Sequence, residues 1–321
     1  MEGLKQLQSD NITLSIMCTG GGSLIAHKLL GSGGSSSLID QIVVPYSQKS
    51  LDNLIGSVDK YCSSETALRM AQVSFDNMND GGKLPIGIGI TASLTRGPDD
   101  REGRSNVAYV AVENHGRRVS YKLNFNELDG FSTYFEGRRE AQEEAVANFA
   151  IDVLCMVMGY TTYEPFKGIT VEYDSPNILF PGSFNPIHKC HVAMYDYVES
   201  LNHRALINLE IATTNADKGD ISLSEVYRRE QLIEAEAGWM GYVRSNTPLF
   251  IDKAEDNPFH TFLVGMDTFT RILDPKYYED SIENRDEALR TILVKYKCKF
   301  IVTDRMGYTV PDMPEWVRPF I

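Results

Sequence analysis

The sequence predicts an α/β protein of two domains. Three observations carry that prediction. The chain has 321 residues, about twice a typical domain. From Asn177 onward short apolar runs alternate with helix-like segments, the pattern of a parallel, doubly wound sheet. Between the halves, helical periodicity over Arg138 to Met158 stops at Gly159, and Thr-Thr-Tyr-Glu-Pro-Phe-Lys-Gly then strings together helix and strand breakers. The expected division is a first domain over 1–162, a linker over 163–175 and a second domain over 176–321.

In the first domain the apolar run Ile12 to Met17 reads as a strand, Thr19 to Gly22 as a glycine-rich loop, and Ser23 to Leu30 as a helix. Gly31 to Ser37, all Gly and Ser, reads as a flexible loop. Strands are expected over Gln41 to Val44 and Leu84 to Ile90, with a helix between them over Glu65 to Asn77. Val107 to Val112 and Val119 to Phe125 read as a hairpin turning near His115-Gly116.

In the second domain strands are expected near Asn177, Ala205, Pro248, Phe262 and Phe300, and helices near His188, Leu223, Thr268 and Glu287. A doubly wound sheet binds its ligands beyond the carboxyl ends of its strands.

Composition narrows the function. Hydrophobic residues make up 42% of the chain, ample for two cores, and the net charge of −13 lacks the basic footprint of a nucleic-acid binder. A negative surface repels phosphates at long range, so a nucleotide site needs His, Lys, Arg or Mg²⁺ placed locally. The five cysteines are dispersed and form no C-x-x-C pair, which points to a reducing compartment and away from structural zinc or disulfides. No run approaches the ~18 apolar residues of a membrane span. The start Met-Glu-Gly-Leu-Lys lacks the apolar core of a secretory signal. A cytoplasmic protein without a membrane or nucleic-acid partner is expected.

Gly182 to His191 reads G-S-F-N-P-I-H-K-C-H, just beyond the apolar run Ile178-Leu179-Phe180. A strand opening through a Gly-Ser turn into a helix that carries two histidines three apart suits polyphosphate. Spacing of three puts His188 and His191 on one face of the first turn, beside unsatisfied amides and the positive end of the helix dipole. Gly182 lets the backbone approach a ligand closely.

This stretch resembles the signature of the nucleotidyltransferase superfamily, which includes nicotinamide and nicotinate mononucleotide adenylyltransferases, pantetheine-phosphate adenylyltransferases and cytidylyltransferases. The usual form is G-[ST]-F-[DN]-P-x-H-x-G-H, and Cys190 replaces its last glycine. Phe262 to Phe269, F-L-V-G-M-D-T-F, is similar to the second nucleotide-contacting loop of mononucleotide adenylyltransferases. The resemblance implies adenosine binding by Gly265 and Asp267, a triphosphate lysine at Lys218, and a helix arginine at Arg229 with Arg228 as near substitute. It further implies that Gly182, Ser183, Phe184 and Asn185 form the nucleotide loop, with Asn185 orienting the phosphate or the loop itself. His188, His191 and Lys218 would stabilise charge on ATP, assisted by Mg²⁺. The family's I-S-[ST]-x-x-[IV]-R segment does not follow Phe300 to Arg305, so a truncated form or a weakened enzyme is expected, with Arg305 or Arg318 as partial substitutes.

The first domain resembles the CinA C-terminal family, the nicotinamide-nucleotide amidohydrolases, through Met17-Cys18-Thr19-Gly20-Gly21 with Ser23 to Ala26, Val43 to Ser47, Ser64 to Ala71 and Gly87 to Thr91. The family's serine nucleophile is Met17 here and its lysine is Leu51. Its T-G-x-A-G-P loop has become Thr91 to Arg96. A thioether neither attacks an amide nor relays a proton, so hydrolysis should be lost unless Thr19, Ser23 or Cys18 stands in. The resemblance then implies a three-layer α/β/α domain with a mononucleotide pocket over Thr19, Gly20, Gly21, Tyr46, Ser47 and Thr91, or a platform for homo-oligomers. Both resemblances concern pyridine mononucleotides. The expected function is adenylyl transfer from ATP to nicotinamide or nicotinate mononucleotide, against a rebuilt amidohydrolase or a silent nucleotide-binding protein.

Overall fold

The computed structural model describes the chain apart from Met1, Ser32, Asp80, 97–104, 129–137, 161–167, 216–218, Arg305, Met306, Tyr308 and Val310, with the backbone alone at 2–4, 215 and 219. It is an α/β protein of two compact units, Met1–Asp174 and Ser175–Ile321.

The first unit contains α1 (Glu2–Ser9), β1 (Ile12–Thr19), α2 (Leu24–Leu30), β2 (Ile39–Val43), α3 (Gln48–Ile55), α4 (Ser64–Asp76), β3 (Leu84–Ser93), β4 (Val107–Asn114), β5 (Arg117–Asn124), α5 (Arg139–Val157) and the opening residues of β6 (Ile169–Gly182). Its strands are ordered β2-β1-β3-β4-β5 and then β6. The β1 strand runs parallel to β2 and β3, while β3, β4 and β5 are antiparallel.

The sequence Ile86-Gly87-Ile88-Gly89-Ile90 sets the layering. Successive strand residues face opposite ways, so the isoleucines form one face, all fully buried. The glycines form the other. A Cβ at Gly89 would stand 2.0 Å from the Ala67 carbonyl oxygen, and one at Gly87 2.2 Å from that of Ala71, so α4 rests directly on the bare backbone. On the isoleucine face, Ile90 meets Val146 of α5 at Gly22. Helices therefore cover both faces, the expected three layers.

Two expectations for this unit are corrected. The Gly31 to Ser37 stretch is fastened: Ser35–Ser37 forms a 3₁₀ turn, the Ser35 hydroxyl donates to the Leu29 carbonyl at 2.5 Å, and the Gln8 side-chain amide donates to the Gly33 carbonyl at 2.6 Å. Of the expected linker, 163–167 lie outside the described residues, while Ile169 to Ser175 belong to β6. The reason is pairing that the local sequence does not announce. Asp174 receives two 2.7 Å hydrogen bonds from the Arg117 guanidinium, and Tyr173 packs against the cluster of Ala67, Ala71, Val107 and Tyr109.

The second unit continues β6 and adds α6 (Lys189–Leu201), β7 (Leu206–Ala212), β8 (Thr214–Asn215), β9 (Gly219–Asp220), α7 (Leu223–Ala237), β10 (Gly241–Ser245), α8 (Phe250–Asp256), β11 (Thr261–Gly265), α9 (Met266–Ile272), α10 (Ile282–Arg290) and β12 (Lys299–Thr303). The five long strands are parallel in the order β10-β7-β6-β11-β12. Ile178 and Phe180 point to a core shared with Val198 of α6 and Val226 and Ile233 of α7. Leu179 points the opposite way, to a core with Ala254 of α8, Phe269 of α9 and Leu289 of α10. The sheet is thus doubly wound. From β6 the chain moves outward through β7 to β10, then returns to β11 on the other side of β6. The gap between β6 and β11 is the topological switch point, where open α/β sheets hold ligands.

The strand expected near Pro248 is displaced. It is β10, Gly241–Ser245, and Leu249 caps α8 instead. Pro248, with its fixed φ and no N–H to satisfy, stands just ahead of a helix start. Among the described residues no helix is long and apolar enough to cross a membrane.

Candidate functional site

The turn after β6 is built from beneath by Phe184. This residue adopts a positive φ of 43° and is 1% exposed. Its ring lies under Gly182, where a Cβ would come within 2.6 Å of it, and meets Phe180 and His191 edge-on at 5.5 and 5.1 Å. Expected as a nucleotide contact, Phe184 is instead the anchor of the turn. Ile187, also buried, pins its far end. Between the two anchors Asn185 and Pro186 are exposed, as is Ser183 just ahead of Phe184.

His188 is the extended N-cap of α6 and His191 its third residue. The rings stack at 3.7 Å with 22° between their planes. His188 is exposed and His191 half-buried, outside the packed core. The His188 backbone N–H donates to His191 Nδ1 at 3.2 Å, which fixes the ring hydrogen of neutral His191 on Nε2 as a donor. The amides of Lys189 and Cys190 open the helix and have no intrahelical acceptor. Ring donors and helix-end amides on one turn are a chemistry for phosphate oxygens.

A carboxylate organises the other side of the turn. Glu225, in the first turn of α7, accepts from Arg228 Nε at 2.8 Å and Nη2 at 2.9 Å, from Arg229 Nε at 2.9 Å, and from the Asn185 side-chain amide at 3.1 Å. Arg228 Nη2 also donates to Asn185 Oδ1, and Arg229 Nη1 donates to the Ser183 carbonyl at 3.1 Å. Hydrogen bonds from Arg228 and then Arg229 hold the Glu225 carboxyl down at about 2. Asn185 therefore orients the loop. Arg229 braces the turn from a side chain only 13% exposed, whereas that of Arg228 is 48% exposed. Sequence reasoning passed over Glu225 because Ser222-x-x-Glu225 reads as a helix-capping signal. Ser222 does cap, accepting from the Glu225 amide at 3.2 Å, but the glutamate side chain is used elsewhere.

Beside this turn, β11 ends at Gly265, which caps α9, and Asp267 follows half-buried in its first turn. Gly265 and Asp267 are in close contact, since a Cβ on the glycine would lie 2.8 Å from the carboxylate. Phe262 pairs with Leu179 across the two strands. Gly265 and Gly182 are each three residues further along, so the two predicted loops emerge side by side at the switch point. Lys218 and Arg305 lie outside the described residues. Arg318 is exposed and pairs with Glu315 at 3.1 Å. A cavity of about 490 Å³ elsewhere in this unit is lined by Asn208, Glu210, Ser245 and His260 among others and holds none of the predicted residues. Among the described residues no group of three or more His, Cys, Asp or Glu could hold a metal ion.

In the first unit Thr19 and Thr91 are register partners at the ends of β1 and β3. Both are buried, and their hydroxyls donate to the carbonyls of Pro45 and Tyr61 at 2.9 and 2.7 Å. A Cβ at Gly20 would meet the Ala92 carbonyl oxygen at 2.1 Å and one at Gly21 the Leu94 side chain at 2.7 Å, so each position needs glycine. Tyr46 is exposed, and Ser47 caps α3 by accepting from the Ser50 amide at 3.1 Å. Both threonine hydroxyls of the expected pocket are thus spent on backbone carbonyls. Its stand-in nucleophiles are engaged as well: the Ser23 hydroxyl donates to Glu143 at 2.5 Å, and burial, then the Glu143 charge, pushes the Cys18 thiol up to about 12. Glu143, also passed over in the sequence, further accepts the amides of Gly22 and Ser23 at 2.9 and 2.7 Å. At 120 residues' remove no local signal marks it.

The chain matches no family model and no curated protein. Among solved structures it is similar to the competence/damage-inducible protein CihA of Agrobacterium tumefaciens, with 17% identity over 48% of this chain and 93% of that one and a TM-score of 0.38. A CinA-superfamily protein of Klebsiella pneumoniae gives 16% identity over 50% and 95%, with a TM-score of 0.37. The Plasmodium falciparum nicotinic acid mononucleotide adenylyltransferase, solved with NaAD, gives 19% identity over 44% and 70%, with a TM-score of 0.30.

Proposed function

We propose that this protein transfers an adenylyl group from Mg·ATP to nicotinamide or nicotinate mononucleotide, releasing pyrophosphate. One observation carries the reading: the two-histidine turn after β6 and the Gly265-Met266-Asp267 loop after β11 emerge side by side at the switch point of a doubly wound sheet.

An oxygen of the mononucleotide phosphate attacks the α-phosphorus of ATP, and the bond from that phosphorus to the β-phosphate oxygen breaks. The attacking group is already ionised at neutral pH, so no general base is needed. Catalysis reduces to alignment and charge neutralisation. His188, His191 and the opening amides of α6 take the phosphates, with Arg228 and Lys218 on their outer side. Gly265 and Asp267 seat the adenosine. The test is incubation with ATP, Mg²⁺ and either mononucleotide, read for dinucleotide and for ammonia. Dinucleotide that falls about 100-fold or more on His188→Ala, the scale of losing one charge-stabilising donor, supports the reading; none from the wild-type protein ends it.

A second reading, nucleotide binding without turnover, is favoured by Arg229, expected as the helix arginine, and Arg318, expected as a partial substitute for the missing phosphate segment: they are engaged by the Ser183 carbonyl with Glu225 and by Glu315. ATP binding without product would select it. Ammonia would select the amidohydrolase, whose candidate nucleophiles Thr19 and Ser23 already donate to Pro45 and Glu143.

A further inference from the structure

We propose that Glu225 is the positioning residue of the phosphate turn, aiming Arg228 at the polyphosphate and holding Asn185 in place. This rests on the nucleotide reading above.

The argument is one of hydrogen-bonding capacity. The guanidinium of Arg228 has three nitrogens. Glu225 takes Nε and shares Nη2 with Asn185, which leaves Nη1 as the open edge of an arginine about half exposed. A bidentate carboxylate fixes the guanidinium plane, so the direction of that open edge is set before any ligand arrives. Arg229 cannot serve in the same way. It is largely buried, and its Nε and Nη1 go to Glu225 and the Ser183 carbonyl. Asn185 is held at both ends of its amide, giving Nδ2–H to Glu225 and receiving Arg228 at Oδ1. The side chain that bridges these groups is the same in every case. Without it the two guanidiniums lose the carboxylate they share, and the Asn185 Nδ2–H loses its acceptor on α7.

Two measurements decide. The first is amide hydrogen exchange over residues 183–188 without nucleotide: Glu225→Gln should speed exchange about tenfold relative to wild type, and unchanged exchange overturns the proposal. The second is a double-mutant cycle of Glu225→Gln with Arg228→Lys on kcat and KM for ATP. If Glu225 acts through Arg228, each single variant lowers kcat more than it raises KM, and the double variant is no worse than Arg228→Lys alone. Independent effects that multiply overturn the proposal. Should wild-type protein bind Mg·ATP yet make no dinucleotide, adenylyl transfer falls while the same cycle, read on the Kd of Mg·ATP, still decides for Glu225. Should it bind no ATP, both fall. Glu225→Asp checks reach: a carboxylate one methylene shorter cannot span Arg228 and Asn185 together, so it should behave like Glu225→Gln. Wild-type behaviour from it overturns the proposal.

Discussion

Met17 and Leu51 pack into one apolar cluster, with Met70 as its third buried member and Ile55, Tyr61 and Val73 against it. These are the two positions at which the resembled amidohydrolases carry serine and lysine. The replacements match one another. A thioether and an isobutyl group, 3% and 1% exposed, fill the space that a polar pair would occupy.

Restoring the serine should therefore cost stability without giving activity. Met17→Ser removes a buried side chain and buries a hydroxyl, worth about 2–5 kcal/mol together. Urea denaturation should show that loss. Incubation of the double variant Met17→Ser, Leu51→Lys with nicotinamide mononucleotide should release no ammonia, and ammonia above the wild-type level would show the old centre to be intact.

Cys190 reports on the proposed phosphate turn. It is exposed between His188 and His191, whereas Cys18, Cys155 and Cys298 are buried and Cys62 is half-buried. Iodoacetamide should label Cys190 first, and Mg·ATP should slow that labelling. Mass spectrometry of the labelled peptides checks both. Equal labelling with and without ATP would place the nucleotide elsewhere.

Among the described glycines of the first unit, Gly89 leaves the least room for a Cβ. A methyl group there meets the Ala67 carbonyl at 2.0 Å, and backbone on both sides prevents easy relief. Gly89→Ala should destabilise by about 1–3 kcal/mol or more, lowering the melting temperature of the first unit. Gly81, where nothing lies within 4 Å but φ is +58°, is a control for strain without collision.

Glu113 should make stability depend on pH. Burial pushes its carboxyl from the usual 4.5 up to about 7, with Arg118 at 3.1 Å opposing and Asp76 adding to the rise. Between those values the native state binds more protons than the unfolded one, so stability falls as pH rises. The contribution is complete below about 4.5 and lost above about 7. Glu113→Gln should raise the melting temperature at pH 8, by an amount corresponding to roughly 1–3 kcal/mol, and leave it unchanged at pH 4.5. An equal shift at both values would remove the carboxyl as the cause.

What the sequence revealed and what it hid follow the range of the interactions. Ile86 to Ile90 announced a strand, and Ile178 to Phe180 with its Gly-Ser turn announced a strand opening through a turn into a helix, because alternation and turn chemistry are local. The short helices α1 and α3 went unseen, each with one buried leucine, Leu7 and Leu51, too few to set a period. Ile169 to Ser175 was taken for linker because its pairing depends on Arg117, far back in the chain. Glu143 and Glu225 were missed for a related reason: an acidic residue on a helix looks solvated until its distant partners are known. Phe184 was misassigned because a signature gives the residue type and not the side of the turn it faces.

That last point governs how mutants of the turn are interpreted. The bare Cα of Gly182 makes room for an aromatic ring beneath it, so Gly182→Ala would dislodge the bracket that shapes the bend before any substrate entered. A kinetic deficit in that variant is a fault in the scaffold, and it carries information about binding only when a melting curve is measured beside it.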